Sequence, residues 1–303
     1  MTFAEERLQT LERAGLKRSL AVRSAGILNF SSNDYLNLRN HPRVKTGAIQ
    51  AIERYGTGSG GSRLMAGNLD IHEALEDRLA KITGMESALV FGSGFLANTG
   101  VISAVAGRND TIFADRLNHA SLVDGTIHSR AEVRRYRHRD TGHLEEMLSK
   151  CGTGGRRVIV TDSVFSMDGD IAPLRDIHRI ALEHSCMLIV DEAHGLGVFG
   201  GGGGVCRKLG IAPDIITGTL SKALGGYGGF AACSGELREY LVNSSRSFIY
   251  STGLPPGSAG GALAALDIIS GNGNMGKELL KRSGTFRRGL WKWGFPPADH
   301  PPR

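Results

Sequence analysis

Residues 187–195 read Met187-Leu188-Ile189-Val190-Asp191-Glu192-Ala193-His194-Gly195, a short apolar run ending on a carboxylate. A run this short, bounded by polar residues, is the pattern of a strand buried on both faces. Its neighbours decide how that strand is used. Residues 173–184 before it have helical spacing, and Arg157 to Thr161 ahead of them form another apolar strand. On the other side lies a third, Ile215 to Gly218. Short buried strands alternating with helices give an α/β fold with a mainly parallel sheet, whose ligands bind at the carboxyl ends of the strands.

Working outward, the same alternation recurs. Strands are expected at Ala88 to Phe91, Thr111 to Ala114, Val133 to Tyr136 and Gly229 to Cys233, with a further short one at Ile27 to Phe30. The clearest helix runs from Asp70 to Ile82, with Ile71, Ala74, Leu75, Leu79 and Ile82 on one face. Others are expected at 43–54, from Gly94 to about Ala106, and at 120–128, 141–149, 234–248, 257–270 and 275–290. Phe3, Leu8, Leu11 and Ala14 make residues 3–17 an amphipathic arm. The organisation expected is an N-terminal arm over 1–40, a large domain over 41–255, and linking helices over 256–303.

Composition narrows the class of function. Hydrophobic content of 41% with 22% charged residues is that of a globular chain, not a disordered one. Glycine, at 43 of 303 residues, is about twice its usual share and clusters without a collagen period. Such clusters mark loops where backbone approaches something closely. The net charge of +6 is small for the length, and its densest run, Arg130 to Arg139, holds one aromatic residue, Tyr136. A solvated sheet edge fits that run better than a nucleic-acid surface. Four cysteines with no C-x-x-C pair give neither a zinc motif nor a disulfide framework, and suit a cytosolic protein. No apolar run approaches the 18 residues of a membrane span, and the charged N-terminus lacks the apolar region of a signal peptide.

Five strand ends carry chemistry. Lys222 sits among small residues in Thr217-Gly218-Thr219-Leu220-Ser221-Lys222-Ala223-Leu224-Gly225-Gly226. Desolvation there favours the free amine, which forms Schiff bases with carbonyl cofactors. Asp191 ends its strand where a carboxylate can pair with a protonated pyridine nitrogen, with His194 three residues on. Gly92-Ser93-Gly94-Phe95 opens a helix, whose N-terminal N–H groups attract phosphate. His119 opens another helix after a strand, where its imidazole can stack on an aromatic cofactor, and Ser166 follows a further strand. Singly, each admits a plainer reading: a surface lysine, a capping carboxylate, a turn glycine, a capping histidine. A helicase built on Asp191-Glu192-Ala193-His194 is excluded, because the nearest P-loop match, Gly271 to Glu278, lacks both the metal-binding hydroxyl and a preceding strand. Together and in this order the five describe one pyridoxal phosphate site.

Further motifs join them: Ser32-Asn33-Asp34-Tyr35-Leu36, Gly58-Ser59-Gly60-Gly61-Ser62-Arg63, Asn118-His119-Ala120-Ser121, Phe165-Ser166-Met167-Asp168-Gly169-Asp170 and Tyr250-Ser251-Thr252. With these the chain resembles the α-oxoamine synthases, a branch of the fold-type I pyridoxal 5'-phosphate enzymes, from about Phe30 to Pro256. The resemblance implies a mainly parallel seven-stranded sheet flanked by helices, with an incomplete C-terminal α+β domain. It implies Lys222 as cofactor lysine and base, Asp191 on the pyridine nitrogen and His119 on the ring. His194 and Ser166 would bond the ring oxygen region, while Gly94, Phe95 and Thr219 would seat the cofactor and its phosphate. Arg18, Asn33 and His119 become substrate contacts. A homodimer with shared sites is implied, Ser251 and Thr252 serving the neighbouring subunit. The implied reaction is acyl transfer from pimeloyl thioester to L-alanine with loss of CO2. Glycine with an acetyl thioester, and a shortened inactive remnant, stand as alternatives. Two departures are visible: Phe199-Gly200-Gly201-Gly202-Gly203-Gly204-Val205 lacks the arginine often found there, and no arginine matches the one that the family's C-terminal domain offers to the substrate carboxylate.

Overall fold

The computed structural model describes residues 2–22, 26, 28–152 and 154–295, in two compact units, 1–32 and 33–303. In the first, α1 (Phe3–Arg13) opens on a capping box in which Thr2 accepts from the Glu5 N–H and the Glu5 carboxylate accepts from the Thr2 N–H. None of its residues is buried. The strand expected at 27–30 does not form over Leu28, Asn29 and Phe30, and Ile27 lies outside the described residues. Leu28 and Phe30 are about four-fifths exposed, so the apolar side chains that suggest a buried strand are not packed into a core.

The second unit carries a seven-stranded sheet: β1 (Ser87–Phe91), β2 (Thr111–Asp115), β3 (Glu132–Tyr136), β4 (Arg157–Asp162), β5 (Met187–Asp191), β6 (Ile215–Thr219) and β7 (Gly229–Cys233). The order is β1-β7-β6-β5-β4-β2-β3, with β7 antiparallel to both neighbours and the remaining pairings parallel. Around it lie α2 (Pro42–Tyr55), α3 (Asp70–Thr83), α4 (Gly94–Val105), α5 (Ala120–Ser129), α6 (Thr141–Ser149), α7 (Leu174–Glu183), α8 (Val205–Leu209), α9 (Gly235–Ser244), α10 (Arg246–Ile249), α11 (Pro256–Gly271) and α12 (Met275–Lys292). The single helix expected at 234–248 is two, because Ser245 adopts extended backbone between α9 and α10. No helix among the described residues is long and apolar enough to cross a membrane.

Period-two alternation sends the strands' side chains to two cores. Leu89, Ile112, Val158, Val160, Ile189, Ile215 and Ala231 pack with Ala97, Val101 and Ile102 of α4, Leu122 of α5 and Leu241 of α9. Their neighbours Val90, Phe113, Ile159, Leu188, Val190, Ile216 and Phe230 pack with α3, α6, α7 and α11 through Leu75, Leu79, Leu144, Ile177 and Leu266. Both faces are covered, which explains why the strands read as continuous apolar runs. The arginine run falls on edge strand β3 and its flanks, where Arg134 pairs with Glu132, Arg137 with Asp140 and Arg139 with Asp170, while Tyr136 is fully buried.

Because β1, β2, β4, β5 and β6 share one direction, Phe91, Asp115, Asp162, Asp191 and Thr219 finish at the same edge of the sheet. Asp162 lies in register with Asp191, and Asp191 with Thr217. Beside this edge, a buried charge cluster fixes the loop before α3. Glu76 of α3 takes Arg63 at 2.7 Å and Arg238 at 2.8 Å, and accepts the Val90 N–H at 2.9 Å.

Candidate active site

Lys222 lies in the loop between β6 and β7, its amine largely buried. Burial lowers its proton affinity, and the nearby Asp191 and Asp162 carboxylates oppose that shift. Its Nζ is 2.6 Å from His194 Nε2, and His194 Nδ1 is 2.6 Å from the Tyr35 hydroxyl. Tyr35 in turn reaches Asn33 Oδ1 at 3.4 Å. Burial, then the charges of Lys222 and His119, press His194 down to about 4, so its imidazole is neutral at physiological pH. An ammonium at Lys222 donates to Nε2 and leaves Nδ1–H for Tyr35. With a free amine, the Tyr35 hydroxyl donates to Nδ1 and Nε2–H to Nζ. The Lys222–His194–Tyr35 line therefore accommodates either protonation state by reversing its donors.

Asp191 ends β5, 4% exposed, with one donor on each oxygen. The Ala193 N–H reaches Oδ1 at 2.8 Å and the Asn98 amide reaches Oδ2 at 2.7 Å. His119 is the N-cap of α5, its Nδ1 3.2 Å from the Ser121 N–H and 2.7 Å from Ser121 Oγ. Its own N–H donates to Asp162 Oδ2 at 2.8 Å. The plainer capping reading of His119 is thus correct, and the cap is what orients the ring. Burial and the facing Asp191 push the Asp162 carboxyl well above the usual carboxylate range, against the pull of the His119 N–H and Lys222.

Ser93 caps α4, accepting the Leu96 N–H at 3.1 Å, and the helix's first turn holds no acidic residue to repel an anion. Gly94 opens that helix against Thr219, and a Cβ on Gly94 would stand 3.1 Å from Thr219 Cβ. Gly229 pairs with both Phe91 and Thr219, and a Cβ there would run into the Ser93–Gly94 backbone. Thr219 Oγ1 meets Ser221 Oγ at 2.7 Å, and Phe95 is partly exposed beside the same turn. Small residues thus bring a helix N-terminus and the Thr219 and Ser221 hydroxyls together at the sheet edge that holds Lys222 and Asp191. A partly buried amine, a buried carboxylate and an anion-binding helix end fit a phosphorylated aldehyde bearing a ring nitrogen.

The remaining expected residues lie elsewhere. Ser166 is exposed in the turn after β4, whereas Ser163 is buried and donates to Glu192 Oε2 at 2.8 Å. Ser251 and Thr252 lie between α10 and α11, Thr252 exposed and bridged to Ser62. Asn33 reaches the site through Tyr35, while Arg18 is exposed in the N-terminal unit. Three participants had no assigned role: Tyr35, Asn98 and Asp162. The signal for Asn98 is visible, a lone amide in the apolar run Ala97 to Ile102.

A family model described as aminotransferase class I and II matches residues 25–301. The 8-amino-7-oxononanoate synthase of Citrifermentans bemidjiense is 48% identical over 312 residues, covering 97% of this chain and 79% of its own. That of Geobacter sulfurreducens is 47% identical over 304 residues, covering 95% and 78%. Among solved structures, a serine palmitoyltransferase of Sphingomonas wittichii matches with a TM-score of 0.87 at 32% identity, over 95% of this chain and 76% of that one. A serine palmitoyltransferase of S. paucimobilis with bound PLP and myriocin gives 0.89 at 28% identity, over 96% and 80%. The 8-amino-7-oxononanoate synthase of Francisella tularensis gives 0.78 at 29% identity, over 92% and 80%.

Proposed function

The chain belongs to the aminotransferase class I and II family, and from that premise we propose that it is a pyridoxal-phosphate-dependent acyltransferase with 8-amino-7-oxononanoate synthase activity. It joins L-alanine to pimeloyl thioester: the alanine Cα gives up its proton and bonds to the thioester carbonyl carbon, the thiol leaves, the alanine carboxylate departs as CO2 and a proton returns to Cα. The observation that carries the reading is the partly buried Lys222 amine, 2.6 Å from His194 and at the same sheet edge as Asp191.

Lys222 holds the cofactor aldehyde, Asp191 faces the pyridine nitrogen, and Ser93 to Phe95 with Thr219 seat the phosphate. When bound, pyridoxal phosphate supplies an electron sink for charge developing at the amino-acid Cα. Lys222 Nζ would take the Cα proton and return one to Cα after the carboxylate has left. His194 and Tyr35 take up the change in donors that this requires, because their line reverses by shifting protons while the heavy atoms stay in place. His119, held by its cap, covers the ring and touches substrate. Ser166 would bond the ring oxygen region, and Asn33 would contact substrate.

The enzyme is proposed as a homodimer in the cytoplasm, Ser251 and Thr252 serving the neighbour's site, with a cofactor domain over 41–255, an arm over 1–40 and residues 256–303 leading from it. The test is turnover. The chain loaded with pyridoxal phosphate should convert L-alanine and pimeloyl-CoA to 8-amino-7-oxononanoate, CO2 and CoA. Turnover only with glycine and acetyl-CoA would reassign the substrate, and cofactor binding with no turnover would mark a remnant.

A further inference from the structure

Asn98 is almost wholly buried, at 2% exposure, in the middle of α4. Its Nδ2 stands 2.7 Å from Asp191 Oδ2 and 2.8 Å from Ser121 Oγ, and Ser121 Oγ stands 2.7 Å from His119 Nδ1. Asn98 Oδ1 is buried with no partner among the described residues. The amide orientation follows from Asp191: an ionised carboxylate only accepts, so the nitrogen must face it even though this leaves the amide oxygen unpaired. The two amide protons are then committed, one to Asp191 and one to Ser121 Oγ. The Ser121 hydroxyl, with one lone pair taken by Asn98, has His119 Nδ1 as the acceptor for its own proton, since that nitrogen already faces the Ser121 N–H. The Ser121 N–H reaches the same nitrogen at 3.2 Å, a longer and weaker second donor. Nδ1 therefore accepts, and the neutral ring carries its proton on Nε2.

We propose that Asn98 is a positioning residue that fixes the proton of His119 on Nε2 through Ser121 while orienting Asp191. The proposal rests on the reading of this pocket as a pyridoxal phosphate site only for its consequence. An Nε2–H tautomer gives the ring a donor on the side away from its cap, where cofactor and substrate would lie. One amide thereby links the group that covers the ring to the group that pairs with its nitrogen, across two elements distant in sequence.

The isosteric variant Asn98→Asp separates this role from mere packing. A carboxyl at 98 can hold one shared proton toward Asp191, but its other oxygen accepts the Ser121 O–H. His119 Nδ1 then loses its hydroxyl donor and is held as an acceptor by the Ser121 N–H alone, so the Nδ1–H tautomer, which lets Ser121 Oγ accept from the ring, gains population. The experiment is 15N NMR of histidine-labelled full-length chain, before and after addition of pyridoxal phosphate. Wild type should show His119 as the Nε2–H tautomer, and Asn98→Asp should show a substantial share of the Nδ1–H tautomer. Should Asn98→Asp fail to fold, Asn98→Ala serves. It frees the hydroxyl, should give a mixture of the two tautomers, and should weaken pyridoxal phosphate binding about tenfold through the donor lost to Asp191. A wild-type ring protonated on Nδ1, or a folded variant whose ring proton stays wholly on Nε2, would overturn the proposal. Failure of the wild-type chain to bind pyridoxal phosphate would overturn the cofactor reading instead, and leaves the tautomer measurement intact.

Discussion

Replacing Glu76 by glutamine tests how the loop over 56–63 is held. The wild-type carboxylate is 3% exposed and accepts from Arg63 on both oxygens, at 2.7 and 3.3 Å, from Arg238 at 2.8 Å and from the Val90 N–H at 2.9 Å. Glutamine keeps the volume. Its Oε1 can still serve Val90 and one Arg63 nitrogen, but its amide nitrogen must face the second Arg63 nitrogen and Arg238, donor against donor. The Arg238 side chain is 34% exposed and regains water; that of Arg63, at 7%, does not. Removing one partner of a buried pair costs about 3–5 kcal/mol, and the re-solvation of Arg238 places this case near 3. At roughly 2–4 °C per kcal/mol the thermal midpoint should fall by about 6–12 °C. Urea unfolding at fixed protein concentration measures the loss as a shift of midpoint at constant slope. A loss under about 1 kcal/mol would refute the argument, because it would mean that the cluster is not desolvated.

His138 places Nδ1 2.9 Å from Asp115 and Nε2 2.8 Å from Asp170, so both nitrogens must donate and the ring is an imidazolium. Burial alone would lower its proton affinity, but the two carboxylates carry it above the usual histidine value. Its contribution to stability should be complete below about pH 6.5 and lost as pH rises through the higher folded value. His138→Gln should flatten that slope in pH-dependent unfolding, and an unchanged slope would exclude the ion pairs. Gly225 sits at φ +67° with its would-be Cβ against the Arg39 backbone. Gly225→Ala should therefore destabilise by roughly 2 kcal/mol in the same assay and weaken cofactor binding, since the loop carrying Lys222 must shift.

Much of this was legible because the chemistry sits where apolar runs stop. Six of the seven strands, all but edge strand β3, are buried on both faces, so their patterns are strong, and Asp191 and Lys222 follow from where those patterns end. Leu28 to Phe30 has the same local character but stays exposed, which no single stretch of sequence reveals. The break at Ser245 is equally hidden, since a serine within a helix is ordinary and only the backbone there departs. In the site, His119, His194 and Lys222 are chemically conspicuous types in strand-end loops. Asn98 and Asp162 act through contacts 93 and 43 residues away along the chain, and those depend on strand order and register. Spacing alone carries no trace of them.

The central claim is that Lys222 holds pyridoxal phosphate. Incubating the chain with the cofactor, reducing the amine linkage with borohydride, and sequencing the labelled peptide by mass spectrometry tests it directly. The account predicts a pyridoxyl label on Lys222 and its loss in Lys222→Ala. A label on another lysine, or none on the folded wild-type chain, would contradict it.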